Sequence, residues 1–420
     1  MNNPKSHRIG FVSTRLAGTD GVSLETGKWE RVLTDLGHET FYFAGESDRP
    51  QERTYIISEA HFKHPAIVTL NIDLFDDFKR SSETSGEIQS LRYHLKTHLY
   101  KFIKKFDIEL LIVENAWAIP MNIPLGMALT ELIAETNMPA IGHHHDFAWE
   151  RSRFKVSAAS DYQYGSFPPV LPSIHHVVIN SYAGHQLALR TGVISTLIPN
   201  VMDFEHQHSQ DDGYAGDLRD KLGIGKDEHI LLQPTRIVPR KHIEDAIELT
   251  YQLGNCALVI SHRSGDEGSD YERYLRDFAE RMNVKVLFAA EHFDYHRSQS
   301  DGGEKKYSLA DAYNICDLVT YPSRTEGFGN AFLETICYKK PIVMHTYEIF
   351  RTDIQPKGFK VIGFGDFINQ ETVREATDVL RNPDLVAEIV ENNYELGLKY
   401  YSFAVLKRRL TALINECLGE

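Results

Sequence analysis

Between Tyr321 and Lys340 the chain reads YPSRTEGFGNAFLETICYKK, which sets two carboxylates, Glu326 and Glu334, on either side of a glycine-rich turn. Gly327 and Gly329 let the backbone approach a ligand closely. Phe332, Leu333, Ile336 and Cys337 follow at helical spacing and predict a helix that opens near Asn330. Such a helix start offers unpaired N–H groups and roughly half a positive charge, which suits a phosphate. The preceding Asp317–Ser323 segment alternates like a buried strand, so the turn joins strand to helix. A phosphorylated ligand whose hydroxyls are gripped by carboxylates is, in chemical terms, a nucleotide sugar. The blander reading of Glu334 is a first-turn acid that favours the helix dipole.

Cleavage of a nucleotide sugar leaves a diphosphate, whose charge must be met by fixed cations. Arg236 and Lys241, in TRIVPRK (Thr235–Lys241) at the end of a predicted strand, are the candidates, with Arg240 beside them. Their alternative is a solvated strand end followed by a helix-start lysine. In IGHHHD (Ile141–Asp146), His143, His144 and His145 invite a metal reading. Consecutive strand residues point to opposite faces and cannot all ligate one ion, so no metal is expected. Arg151 and Arg153 lie just beyond; forked cations there could receive a carboxylate or phosphate of an acceptor, or form a structural salt bridge. Near the start, RLAGTDGVS (Arg15–Ser23) links a strand to a helix that stops near Gly37. It is not GxGxxG, so no dinucleotide cofactor is expected.

Glu326, seven intervening residues and Glu334, followed by Lys340-Pro341, resemble the E-x7-E signature of retaining glycosyltransferases of family four. That resemblance implies the GT-B fold, in which two Rossmann-like domains face each other across a cleft. It implies that Glu326 contacts the transferred sugar and Glu334 the ribose hydroxyls of the donor nucleotide, with Gly327, Phe328, Gly329 and Asn330 lining the donor. TRIVPRK is similar to the family's R-L-V-P-x-K motif, in which Arg236 and Lys241 would hold the diphosphate. Arg15–Ser23 resembles its first loop, which approaches donor phosphate and acceptor, with Gly21 as the matched glycine and Arg15 on the acceptor side. A histidine at the end of the Ile141 strand, His144 or His145, would contact the donor sugar. IPNVMDF (Ile198–Phe204) is similar to the family's IPNGVDF hinge, with Val201 and Met202 replacing Gly-Val.

The activity so implied is retaining transfer of a hexose, glucose or mannose, from a nucleoside diphosphate sugar to a hydroxyl of a small polar or glycosidic acceptor. Front-face displacement needs no protein nucleophile, metal or other cofactor. EGFGN followed by DIQPKGF (Asp353–Phe359) is similar to transferases that build sucrose-like or glycerate-based compatible solutes. A lipid-linked or cell-envelope acceptor is the rival, drawn from the basic Arg92–Lys105 run read as a membrane-surface helix, although the favoured reading of that run is an ordinary amphipathic helix packed on a sheet. A nucleotide-sugar epimerase and a non-catalytic sugar-nucleotide sensor are rivals of other classes. The joint presence of Arg236, Lys241, Glu326 and Glu334 argues for turnover.

To position these residues the chain must supply two α/β layers, and its 420 residues suffice for two cores. Strands are expected at Arg8–Thr14, Glu39–Ala44, Glu109–Glu114, Ala140–His144, Val177–Asn180 and Thr196–Pro199. A second set is expected at Ile230–Pro234, Ala257–Ser261, Lys285–Ala289, Asp317–Tyr321, Ile342–His345 and Lys360–Ile362. This gives domains 1–204 and 205–400, and the resemblance to the GT-B fold implies that the C-terminal segment 401–420, with its helix Phe403–Leu418, crosses back to the first. Glu205–Gly216 reads as a linker and Glu291–Lys306 as a mobile loop. A net charge of −14 argues against nucleic-acid binding. No apolar run predicts a membrane span, and the polar Met1–Arg8 predicts no signal peptide, so a cytoplasmic enzyme is expected. The four cysteines lack CxxC spacing and read as reduced thiols.

Overall fold

The structure, a computed structural model, describes residues 5–18, 20–206, 212–264, 269–300 and 302–419. Thr19 of the first loop, residues 207–211 of the expected linker and Asp301 lie outside the described residues. The chain forms two compact units, Met1–Val201 with Phe403–Glu420, and Met202–Ser402.

The first unit holds a parallel seven-stranded sheet of β1 (Arg8–Val12), β2 (Glu39–Ala44), β3 (Thr54–Ile56), β4 (Leu110–Glu114), β5 (Ala140–His144), β6 (Ile174–Val178) and β7 (Ser195–Leu197), in the order β3-β2-β1-β4-β5-β6-β7. β3 was not foreseen; it is an edge strand of three residues, too short to show a period. β6 ends before Asn180, contrary to expectation, because that side chain accepts from Ala183 N at 2.7 Å and caps helix Ser181–Thr191. The basic run lies in helix Ser82–Phe106, whose Leu95, Leu99, Phe102 and Phe106 are buried in the core beside β2 and β4 residues. Its Lys96 pairs with Glu131 and Glu135 of helix Ile123–Thr136. On the other face, Leu406, Leu410, Leu413 and Ile414 of helix Phe403–Leu418 join Phe11, Trp29 and Ile112 in one core. Period-3.6 apolar spacing thus places this last helix in the first unit.

The second unit holds a parallel six-stranded sheet of β8 (His229–Gln233), β9 (Cys256–Ile260), β10 (Val286–Phe288), β13 (Leu318–Tyr321), β14 (Ile342–His345) and β15 (Ile362–Phe364), in the order β10-β9-β8-β13-β14-β15. β15 starts later than expected because Lys360 N is held by Asn393 Oδ1 at 2.7 Å, outside the ladder. The segment expected as a mobile loop carries a short hairpin and an ion pair. β11 (Ser298–Gln299) pairs antiparallel with β12 (Lys305–Lys306), and Arg297 joins Asp311 and Asp212. Among the described residues no helix is long and apolar enough to cross a membrane.

Strand order reverses beside β1 and β4 in the first sheet, and beside β8 and β13 in the second. In open parallel sheets the carboxyl ends at such reversals leave a crevice for ligands. The segments after β1, β8 and β13 are Arg15–Ser23, Thr235–Lys241 and Pro322–Gly329, so three of the motifs singled out by chemistry emerge at these points.

Candidate functional site

In the second unit β8 delivers Arg236 and, through the turn Pro239–Lys241, Lys241; β13 delivers Glu326. Pro239 sets the first φ of that turn, as at a helix start. Lys241 Nζ pairs directly with the Glu326 carboxylate, and Arg240 Nη1 approaches the same carboxylate at 3.5 Å. The Lys241 ammonium also lies 5.2 Å from the Tyr321 ring centroid. Burial works against the Glu326 carboxylate, but Lys241 and Arg240 outweigh it and hold its pKa below the ordinary value. Burial lowers the Lys241 pKa, with Glu326 opposing. Arg236 is half-buried and has no anionic partner among the described residues. His262, at the end of β9, is pushed down to about 4 by burial and then by Arg236 and Lys241, so it is neutral at pH 7. Sequence reasoning missed it, because a lone histidine after a strand carries no motif.

The glycine turn is held from beneath. Tyr347 donates its hydroxyl to Phe328 O at 2.5 Å, and a Cβ on Gly329 would sit 2.3 Å from that hydroxyl. Gly329 has φ +116°, so a side chain is excluded by both backbone and space. Phe328, expected in the donor lining, is 3% exposed, and its ring meets that of Tyr401 edge-on. Asn330 opens helix Asn330–Cys337. On that helix Glu334 accepts from the Tyr313 hydroxyl at 3.3 Å. Gly327 is partly exposed between Glu326 and the helix.

In the first unit the register of β4 on β5 sets Glu114 beside His143. Alternation then places His143 and His145 on one side and His144 on the other. Glu114 Oε2 lies 2.9 Å from His143 Nδ1 and 3.2 Å from His145 Nε2. Burial raises the Glu114 pKa, but the two imidazoles outweigh it and bring it to about 2. His145, although burial opposes its charge, is raised by Glu114, Glu25 and Asp146; His143 is lowered by burial. His144 is wholly buried, with its Nε2 2.8 Å from His176 Nδ1, which corrects its expected catalytic role: it serves the core. Of the three histidines His145 retains access, its side chain 10% exposed. Asn115, at φ +57°, fixes this end by accepting from His145 N at 3.0 Å and donating to Asp146 at 2.9 Å. Glu114 and Asn115 were missed as functional residues. Their signal was an apolar strand, LLIVE, that ends on a charge.

The remaining candidates are mostly engaged. Gly21 is the first residue of helix Gly21–Asp35, and Asp20 caps that helix by accepting from Val22 N and Ser23 N at 3.1 and 3.2 Å. The amides of Val22 and Ser23 are therefore taken by Asp20. Arg15 pairs with Asp20 at 3.0 Å, and Arg151 with Asp146. Arg153 rests 4.5 Å from the Phe154 ring centroid and has no carboxylate partner among the described residues.

Residues 216–396 match the family described as Glycosyl transferases group 1. A Mannosylglucosylglycerate synthase of Thermotoga maritima is 32% identical, over 95% of this chain and 98% of its own. One of Petrotoga mobilis is 33% identical, over 85% and 86%. The solved sucrose-phosphate synthase of Thermosynechococcus elongatus, 14% identical, superposes with a TM-score of 0.68 over 98% of this chain and 99% of its own. The two parallel sheets, together with this superposition, show the GT-B fold. The chain belongs to the group 1 glycosyl transferases.

Proposed function

We propose that the protein transfers a mannosyl group, with retention of anomeric configuration, from a nucleoside diphosphate mannose to a hydroxyl of a glucosylglycerate-type acceptor, a small glycoside bearing a carboxylate. The observation that carries this reading is the end-to-end similarity to two proteins named Mannosylglucosylglycerate synthase. A cytoplasmic setting fits such small polar substrates.

Arg236 receives the diphosphate first, since among the described residues no protein anion occupies it. Lys241 then exchanges Glu326 for phosphate, which frees the Glu326 carboxylate to orient the sugar hydroxyls. Backbone amides of Gly327, Phe328, Gly329 and Asn330 face the same anion, and Glu334 takes the ribose hydroxyls. The bond from anomeric carbon to diphosphate oxygen breaks, that oxygen takes the acceptor proton, and the new glycosidic bond forms on the same face. Positioning and fixed charge supply the rate, and the transfer step itself needs no metal. For the acceptor carboxylate Arg153 is the open guanidinium, whereas Arg15 and Arg151 would first have to leave Asp20 and Asp146.

The test is transfer from nucleoside diphosphate mannoses and glucoses to glucosylglycerate and to its neutral analogue glucosylglycerol, with the product's anomeric coupling read by NMR. Retained configuration and a strong preference for the charged acceptor are expected. Inversion, or equal use of the neutral analogue, would overturn the reading.

A further inference from the structure

We propose that Glu114, His143 and His145 form a three-ligand site for a divalent transition-metal ion of the zinc class. The inference stands apart from the proposed transfer reaction and shares no residue with the diphosphate-holding set.

Three observations carry it. First, the donor atoms converge: Glu114 Oε2, His143 Nδ1 and His145 Nε2 all lie within 4.8 Å of one another. Two imidazole nitrogens and a carboxylate oxygen are the ligand set of many zinc sites that keep a position open. Bonds of about 2.1 Å place neighbouring donors about 3.0–3.4 Å apart, for angles between octahedral and tetrahedral. The oxygen here is 2.9 and 3.2 Å from the two nitrogens, so both oxygen–nitrogen separations are at or close to that range. Second, the site is built on rigid elements. Glu114 and His143 are register partners on β4 and β5, and the Asn115 side chain holds the His145 backbone. Third, Glu114 is wholly buried and, among the described residues, its Oε1 has no hydrogen-bond partner, so the second carboxylate oxygen is left for the same ion.

The expectation of no metal here rested on three adjacent histidines being unable to share an ion. Alternation does remove His144. It leaves the i, i+2 pair on one side, and the third donor comes from the neighbouring strand. Glu25, also buried, adds negative charge toward His143 and His145. Its charge is partly offset by Lys28 at 2.9 Å.

The experiment uses tag-free, chelator-treated protein, because the chain's 20 histidines and any affinity tag could bind metal superficially. Co²⁺ is titrated in, its visible ligand-field absorption recorded, and uptake of Co²⁺ and Zn²⁺ measured by equilibrium dialysis with elemental analysis. Trp29, whose ring lies 4.1 Å from that of His143, adds a fluorescence readout that paramagnetic Co²⁺ would quench and Zn²⁺ would restore. One ion per chain is expected, with affinity lowered at least about a hundred-fold in Glu114→Gln and His145→Ala, since a ligand should matter more than an outer partner. The wild-type Trp29 signal decides the matter even if a variant does not fold. No stoichiometric uptake, uptake unchanged in both folded variants, or Co²⁺ binding that leaves Trp29 unquenched would overturn the proposal. Donor binding and transfer are measured separately, so failure here would leave the proposed function standing.

Discussion

Each unit buries one carboxylate against cationic or imidazole partners at the end of a central strand, but the two acids are held differently. Glu326 sits in a glycine-rich turn and pairs with Lys241, a flexible ammonium that can exchange it for another anion. Glu114 is a strand residue clasped by two imidazoles, with no exposed surface. A buried charge whose partner can move suits a site that must admit a ligand. One whose partners are locked by strand register suits a fixed framework. On this account, loss of Glu326 should damage turnover while leaving the fold intact. Loss of Glu114 should be felt first in the order and stability of the first unit, since an orphaned charge or imidazole in a core is costly.

The largest effect expected is on turnover. Glu326→Ala or Lys241→Ala should lower kcat about 10²- to 10³-fold, the scale for one lost transition-state contact, with little change in Tm. A mild kcat effect at both positions, or a drop in Tm matching that of Glu114→Ala, would erase the contrast.

Second is acid sensitivity of the first unit. His176, hydrogen-bonded to His144, is pushed by burial down to about 4. A histidine whose folded pKa is depressed lends stability that is present above its unfolded pKa, near 6.5, and lost as pH falls toward 4. A shift of this size corresponds to about 3 kcal/mol. Urea unfolding between pH 7 and 4 should show this slope in wild type and a flatter one in His176→Asn.

Third, Arg153→Ala should raise acceptor KM roughly tenfold, about 1.4 kcal/mol, with kcat nearly unchanged. Steady-state kinetics with glucosylglycerate checks this, and an unchanged KM would remove Arg153 from the acceptor site.

The smallest effect concerns Asp245, in the first turn of helix Ile243–Leu253. Burial raises its pKa to about 6, Arg324 stands 3.7 Å away, and among the described residues its Oδ2 has no hydrogen-bond partner. A carboxylate with a raised folded pKa lends stability that is full below its unfolded pKa and lost as pH rises through 6. Asp245→Asn should therefore stabilise the protein by about 1 kcal/mol at pH 8 and by little at pH 4, measured as the change in Tm.

The same contrast explains what the sequence disclosed. The Glu326 turn lies in one contiguous stretch whose glycines, acids and helical spacing are each diagnostic, and Lys241 belongs to a second short motif. Both strand periods and both ligand crevices follow from local patterns repeated along the chain. The Glu114 cluster is spread over residues 29 and 31 apart, joined only by the register of β4 on β5. No local pattern states a register, so His144 was drawn toward the chemistry and Glu114 was left in the core. The helix start at Gly21 misled for a related reason. A glycine and a helix suggest free amides, and only the packed geometry shows that the Asp20 carboxylate already uses them.

The most direct test of the account is calorimetric titration of nucleoside diphosphates into wild type and Arg236→Ala. If this half-buried cation, which has no anionic partner among the described residues, is the diphosphate's first anchor, the variant should bind at least about tenfold more weakly while unfolding at the same temperature. Equal affinity in the two proteins would contradict the placement of the diphosphate, and with it the roles given to Lys241 and Glu326.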